Sequence, residues 1–296
     1  LTRVADNLTQ SSRRGIVYTL VASTLFGVNG AVAGDLVKTI PPGNVAQIRS
    51  VLAALVLGAI AYRRRLTQAR GRLLALAALG LTLATVTVSF FVAIDRLGVG
   101  PGVTIQFTGP VLVLGWQRLV EKRRVGPLAW AAALVALVGV GLVSRVGTGA
   151  PLDSVGLLAA SVASITFAAY ILLSSYLARS FSIITVAAYG FSFSALILLT
   201  AFPVVLPPND PLVWLELAWL LILGTITPFL LEMAAVKIVD PGLVGVIATF
   251  EPVMAATAAW IGLGQRLTAG QIAGGLLVVM AVALIERYSS RPPLGP

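Results

Sequence analysis

The sequence predicts an all-α integral membrane protein: ten transmembrane helices in two inverted five-helix repeats, with both termini in the cytoplasm. Three observations carry this. First, hydrophobic residues make up 58% of the chain and charged residues 11%, where soluble domains run at about a quarter charged. Second, the stretch from Ala93 through Val143 recurs 142 residues later from Ala235 through Ile285. Gly100 thereby falls on Gly242, Pro110 on Pro252 and Arg124 on Arg266. At an offset of 141, Val21-Ala22-Ser23-Thr24-Leu25-Phe26 falls on Val162-Ala163-Ser164-Ile165-Thr166-Phe167, with Gly15 on Gly156. Third, Lys and Arg collect on one side. With ten spans, sixteen of them fall on the side of the termini, while the other side has only Lys38, Arg96, Arg145 and Arg266. The basic side is cytoplasmic. Five spans per repeat is an odd number, so the two repeats must face opposite ways.

A spanning helix needs about 20 mostly apolar residues, and ten segments qualify. The first, 15–34, follows Arg13-Arg14 and carries a stripe of small residues, Ser23, Gly27, Gly30 and Gly34. Pro41-Pro42-Gly43 punctuates the chain at the start of the second, 43–62, which ends on Arg63-Arg64-Arg65. The third, 73–94, lies between Arg72 and Arg96, and the fourth, 99–119, holds Pro110 near its middle. The fifth, 127–144, leads into Gly147-Thr148-Gly149-Ala150-Pro151, which separates a first repeat at 1–149 from a second at 150–296. The sixth, 155–177, repeats the first. The seventh, 183–206, stops at Pro207-Pro208-Asn209-Asp210-Pro211. The eighth, 212–234, contains Pro228; the ninth, 241–263, contains Pro252; the tenth, 268–286, ends before Arg287. No loop is long enough to fold as a soluble domain.

There is no Cys and no His. That excludes a disulfide framework and removes the commonest metal ligand, general base and near-neutral pH switch. No metal, cofactor or catalytic residue is expected: the spans hold no paired Asp and no Ser beside a base. Gly98-Val99-Gly100-Pro101-Gly102 follows no strand and reads as a loop, not a nucleotide cradle. The net charge of +10 would suggest nucleic acid in a soluble protein, but here the basic residues flank apolar runs and orient the chain. The expected partners are a lipid bilayer and a small-molecule substrate, with no nucleic acid, and the expected state is a monomer. Arg13-Arg14, an apolar run and Ala31-Val32-Ala33 together resemble a cleavable signal peptide. Cleavage would delete the partner of the sixth helix, so a retained first span is expected.

The pairing of Glu251-Pro252 in mid-helix with Gly264-Gln265-Arg266-Leu267-Thr268 and Gly274-Gly275 resembles the EamA family of the drug/metabolite transporter superfamily, over essentially the whole chain. The resemblance implies ten spans and the outward movement of small metabolites, often amino acids, across a bacterial inner membrane. Two positions depart from the family pattern: Gln265 stands where Glu is usual, and Gly109 rather than Glu precedes Pro110. Both weigh against a charge-based mechanism. Within the family the chain looks most like the YddG-type exporters of aromatic and other neutral amino acids.

Proline lacks an N–H and clashes with the carbonyl four residues back, so Pro110 and Pro252 strip partners from the carbonyls of Gln106 and Ala248. A free carbonyl is costly in lipid unless it is buried in protein or wet. Two such defects at mid-depth predict bends that line a shared central cavity between repeats. Pro228, which frees the carbonyl of Gly224, has no first-half counterpart. Gln106 and Asn29 offer donors and acceptors, and Phe107 and Phe250 adjoin the kinks. The expected substrate-binding set is therefore Asn29, Gln106, Phe107, Pro110, Phe250 and Pro252. The plainer alternative is a packing kink for each proline and an interhelical hydrogen bond of about 1 kcal/mol for each amide. Phe26, Phe167, Tyr170 and Phe229 sit at mid-membrane depth and read as core or lipid-facing. Trp116, Trp130, Trp214 and Trp260 lie near helix ends, as interfacial anchors do.

Charges inside spans are few. Glu251 lies roughly 15 Å deep by the helical rise. A carboxylate there costs about 3 kcal/mol, so the group must be neutral, paired or facing water. It is read as structural rather than coupling, because its symmetry mate is Gly109 and no His could relay a proton. Arg49, nearer the outer face, would snorkel or pair with Asp35 or Glu251. Glu232, one turn from Lys237, needs no special role. Phosphorylated substrates would require several buried cations, and lipophilic cations an anionic pocket. The reading that fits best is export of small zwitterions, aromatic and apolar amino acids first, by alternating access. Multidrug efflux and a non-transporting scaffold are its rivals.

Overall fold

The computed structural model describes residues 2–64, 71–97, 99–144, 153–263 and 266–289. The Gly147–Pro151 link, the Gly264-Gln265 pair and Arg65, Arg70, Arg145 and Arg291 lie outside the described residues. Within them all regular structure is helical. The order is α1 (Thr2–Thr39), α2 (Pro42–Arg63), α3 (Leu73–Leu97), α4 (Val99–Gln106), α5 (Gly109–Leu119), α6 (Pro127–Val143) and α7 (Ser154–Ala178). Then come α8 (Ile183–Ala201), α9 (Pro211–Leu221), a π-helical turn (Ile222–Ile226), α10 (Thr227–Ile238), α11 (Pro241–Ala248), α12 (Glu251–Leu263) and α13 (Ala269–Ser289).

Local chemistry explains where these helices start. Pro42 and Pro127 open α2 and α6 at the position where a missing N–H costs nothing. Asp153, Ser182, Asp210 and Asp240 cap α7, α8, α9 and α11, each accepting a backbone N–H two or three residues on. The seventh predicted segment ends at Ala201 rather than 206. Phe202 is extended, at φ −129° and ψ 142°, because the ring of Pro203 disfavours helix at the residue before it.

Seven stretches among the described residues are long and apolar enough to cross a membrane: Ser12–Thr39, Pro42–Arg63, Leu73–Leu97, Ser154–Ala178, Ile183–Ala201, Pro211–Ile238 and Pro241–Ala258. The sequence predicts ten. Two of the other three, Pro127–Val143 and Ala269–Ile285, are apolar but short; the 17 residues of α6 rise only about 25 Å. The remaining one is cut into α4 and α5.

The helices pack in a recurring pattern. α13 lies along α6, α2 along α8, α3 along α7, and α1 along α10 and α12. Ser50 and Ser194 hydrogen-bond across the α2–α8 seam at 3.1 Å. Gly15 and Gly156, which the sequence repeat aligns, make matching approaches. A Cβ on Gly15 would run into Val239 at the end of α10, and one on Gly156 into Leu97 at the end of α3. Val239 and Leu97 are themselves 142 residues apart.

Candidate functional site

The helix is interrupted at residues 107–108 and again at residues 249–250, just ahead of Pro110 and Pro252. At the first break the Thr108 N–H donates to the Ile105 carbonyl at 3.1 Å, and the Thr108 hydroxyl donates to the same carbonyl at 2.7 Å. At the second, the Thr249 N–H donates to the Val246 carbonyl at 3.2 Å and its hydroxyl at 2.6 Å. Each helix thus tightens into a three-residue turn sealed by a threonine before its proline. Phe107 and Phe250 are brought into one apolar cluster with Val103, Ala248 and Phe167. Pro110 faces Gly245 of α11, where a Cβ would lie 3.2 Å from the proline's own Cβ. Gln106 is buried with its Oε1 unpartnered. The sequence predicts an open central cavity here. In the structure this centre is packed: Phe107 is 1% exposed and meets Phe167 edge-on at 5.9 Å. Open space persists farther along α1, where a Cβ on Gly30 or Gly34 would meet nothing within 4 Å.

Phe229 on α10 is the hub of the centre. Phe26, Phe191 and Tyr170 meet its ring edge-on at 5.1, 5.3 and 5.5 Å. The Arg49 guanidinium lies over the same ring, 5.6 Å from its centroid. Its Nη2 donates to Thr87 Oγ1 at 2.6 Å, and Thr87 in turn donates to the Leu83 carbonyl at 2.9 Å. The expectation that Arg49 snorkels or pairs with Asp35 or Glu251 is therefore corrected. Arg49 is 9% exposed, Asp35 is taken by Lys38 at 2.9 Å, and no carboxylate lies within 4 Å of the guanidinium among the described residues. The physical reason is the α2–α8 seam at Ser50 and Ser194, which turns Arg49 towards α3 and α10.

Asn29 is buried against Gly224, inside the π-helical turn, with its Oδ1 unpartnered. Pro228 explains the turn: it cannot donate to the Gly224 carbonyl, and the helix widens just ahead of it. Thr225 Oγ1 donates to the Leu220 carbonyl across the widened turn at 2.8 Å. Pro228 thus matters more than its lack of a first-half counterpart suggests. So does Glu232, to which the sequence assigns no special role. It is 4% exposed and accepts from the Tyr170 hydroxyl at 3.1 Å. The signal was present in the spacing, since Glu232 lies three residues after Phe229 and shares its helix face.

Glu251 opens α12 beside α1, and no hydrogen bond to its carboxyl is found among the described residues. The approach is close: a Cβ on Gly27 would lie 2.5 Å from the Glu251 carbonyl oxygen. In the first repeat the small residue sits on the other helix. A Cβ on Gly109 would lie 3.0 Å from both the Ser164 carbonyl oxygen and the Phe167 ring. Any side chain at 109 would press on α7, so the close approach there suits Gly.

At the end of the molecule where α5 stops and α11 starts, Gln117 Nε2 donates to both oxygens of Asp240, at 2.9 and 3.0 Å. Arg123 Nη1 reaches Asp240 Oδ2 at 3.0 Å. The bridge residues Gln117, Arg123 and Asp240 themselves line a cavity of about 170 Å³, together with Leu114, Arg124, Val125, Ala129 and Leu243. α5 packs against α11 here, whereas α4 and α12, the opposite halves of the two broken helices, make no comparable contact among the described residues.

The EamA-like transporter family model matches this chain twice, over residues 13–145 and residues 154–287. The "Uncharacterized inner membrane transporter YicL" of Salmonella typhimurium is 25% identical, over 95% of this chain and 98% of that protein. The threonine/homoserine exporter RhtA of Escherichia coli K12 is 28% identical, over 87% and 86%, and that of Salmonella typhimurium SL1344 is 27% identical, over 90% and 89%. A crystal structure 19% identical in sequence superposes with a TM-score of 0.76, covering 95% of this chain and 97% of its own, and so shares the fold. This multi-pass membrane protein belongs to the EamA-like transporter family.

Proposed function

We propose that the chain exports small neutral amino acids across a bacterial inner membrane by alternating access, as ten spans in two inverted repeats with cytoplasmic termini. The observation that carries the reading is the double family match, together with the same helix break in each matched half, at 107–108 and 249–250. Substrate sites between inverted repeats are typically built from such discontinuous helices. The matching contacts of Gly15 and Gly156 support the repeat, and the Lys and Arg distribution supports the orientation. On that orientation the Gln117–Asp240 bridge closes the cytoplasmic end.

The unpartnered Oε1 of Gln106 and Oδ1 of Asn29 suit an ammonium group. The rings of Phe107, Phe250 and Phe26 suit an apolar or aromatic side chain, as in a YddG-type exporter. A second reading, hydroxylated amino acids, is favoured by the exporter named for threonine and homoserine. The test is counterflow in proteoliposomes with phenylalanine, tryptophan, leucine, threonine, homoserine and ethidium. Exchange of the first three supports aromatic and apolar substrates, and exchange confined to threonine and homoserine supports the second reading. Exchange of ethidium alone would overturn both in favour of cation efflux.

A further inference from the structure

The geometry points to Arg49 as the group that binds the carboxylate of the substrate. This rests on the amino-acid reading above and names the contact that makes the site select acids over their neutral analogues. An arginine does not lose its charge in a protein. Burying it within a membrane is costly unless an anion or water compensates. Here the compensation is incomplete. Arg49 is 9% exposed, and among the described residues its Nε has no partner and its polar contacts are one neutral hydroxyl and one aromatic face. Neither contact brings a negative charge, and the acids that could do so are engaged elsewhere or out of reach. Asp35 binds Lys38, and among the described residues neither Glu232 nor Glu251 comes within 4 Å of the guanidinium.

The position of Arg49 fits a substrate contact. At the offset of 142 that relates the repeats, Thr87 falls on Phe229. The guanidinium therefore touches equivalent positions of both repeats at once, Thr87 of the first and Phe229 of the second. That is where the two halves meet, and a group there can hold a ligand whichever way the transporter faces. Thr87 also orients it: the threonine's proton is committed to Leu83, so its lone pair is left to accept from Nη2. The rest of an amino acid finds complementary groups nearby. Phe26 packs on the same Phe229 ring, and one turn along α1 from Phe26 the unpartnered Oδ1 of Asn29 offers an acceptor for the ammonium.

The experiment compares phenylalanine and threonine with their primary carboxamides as competitors of counterflow in proteoliposomes. The amide keeps shape and ammonium but lacks the negative charge. The wild-type protein should bind each acid about 10- to 100-fold more tightly than its amide, the range expected for charge-assisted hydrogen bonds. In Arg49→Gln the acid should weaken to the level of the amide while the amide is unchanged. Arg49→Lys should recover part of the difference. If Arg49→Gln does not purify as a monodisperse protein, the wild-type comparison and Thr87→Val decide. Thr87→Val should weaken the acid and spare the amide. Equal binding of acid and amide by the wild type overturns the assignment, as does discrimination that survives in Arg49→Gln. Substituting isethionate for chloride should leave the discrimination intact; if it vanishes, an inorganic anion occupies the site and the assignment fails. If neither amino acid exchanges at all, the exporter reading fails first, and that outcome is distinct from exchange without discrimination.

Discussion

Asp240→Ser isolates the bridge between α5 and α11 from the other role of Asp240. Its Oδ1 also caps α11, accepting from the Gly242 N–H at 2.9 Å. Serine caps a helix about as well as aspartate, so the substitution keeps the cap and removes the acceptor for Gln117 and Arg123. Gln117 is 2% exposed, and a buried donor left unpaired costs about 1–3 kcal/mol. The Arg123 contact is half-exposed and adds about 0–1 kcal/mol. A central value of about 2 kcal/mol shifts the closed-to-open ratio at this end on the order of 30-fold.

The assay exploits the absence of native cysteine. Ala129 is 1% exposed and lines the same cavity as Gln117, Arg123 and Asp240, so Ala129→Cys is a small change at a buried position beside the bridge. In inside-out vesicles, a membrane-impermeant maleimide should label this cysteine slowly, and at least about 10-fold faster once Asp240→Ser is added. An unchanged rate would show that the bridge does not hold this end shut. Labelling only from the opposite face of the membrane would refute the assigned orientation.

Three further outcomes are expected. Pro110→Ala and Pro252→Ala should each lower flux at least about 10-fold while the protein still inserts and purifies, because restored hydrogen bonds straighten the helices; unchanged flux would reduce both breaks to packing. Gln106→Ala and Phe250→Ala should each raise the half-saturating amino-acid concentration about 5- to 30-fold, as loss of one polar or ring contact does, and unaltered kinetics would place the site elsewhere. Glu251→Gln should retain most downhill flux with little change in its pH dependence, measured between pH 5.5 and about 8; loss of pH-gradient-driven accumulation with exchange preserved would make Glu251 the coupling acid.

What could be read from the sequence was what a residue does to its own backbone. The missing N–H of Pro110 and Pro252 acts locally, so both breaks were legible to within two residues. The duplication was legible because apolar spacing survives divergence, and Pro228 could be spotted as a strain, whereas the stop at Pro203 was missed and the seventh predicted segment runs on to 206. The outcome of that strain was not legible. Pro228 gives a widened turn rather than a kink, and Asn29 of α1 lies against that turn at Gly224, a contact that no local pattern announces. Arg49 and Glu232 were misplaced for a related reason. A long side chain on a helix goes where neighbouring helices leave room, and those neighbours are 38 residues away at Thr87 and 62 at Tyr170. Gln117 and Asp240 are 123 residues apart and share no pattern.

On the proposed reading of inverted repeats and alternating access, the difference in charge between the two family-matched halves bears on the transport cycle. In an inverted repeat the two halves exchange roles between the outward-open and inward-open states. A contact present in both halves therefore favours neither state, as with Gly15 on Val239 and Gly156 on Leu97. The Asp240 bridge has no such counterpart. At the offset of 142 Asp240 falls on Gly98 and Gln117 on Ala259, neither of which carries a polar side chain. A ligand or bond can shift a two-state equilibrium only by its difference between the states. This bridge acts entirely on one side, so the unloaded protein should rest closed at the Asp240 end, in keeping with the packing of α5 on α11, which has no comparable α4–α12 contact among the described residues. Removing the bridge should bring the two states closer to balance and speed exchange in the absence of a gradient. Slower exchange in Asp240→Ser would mean that the asymmetry drives the return step and does not oppose it.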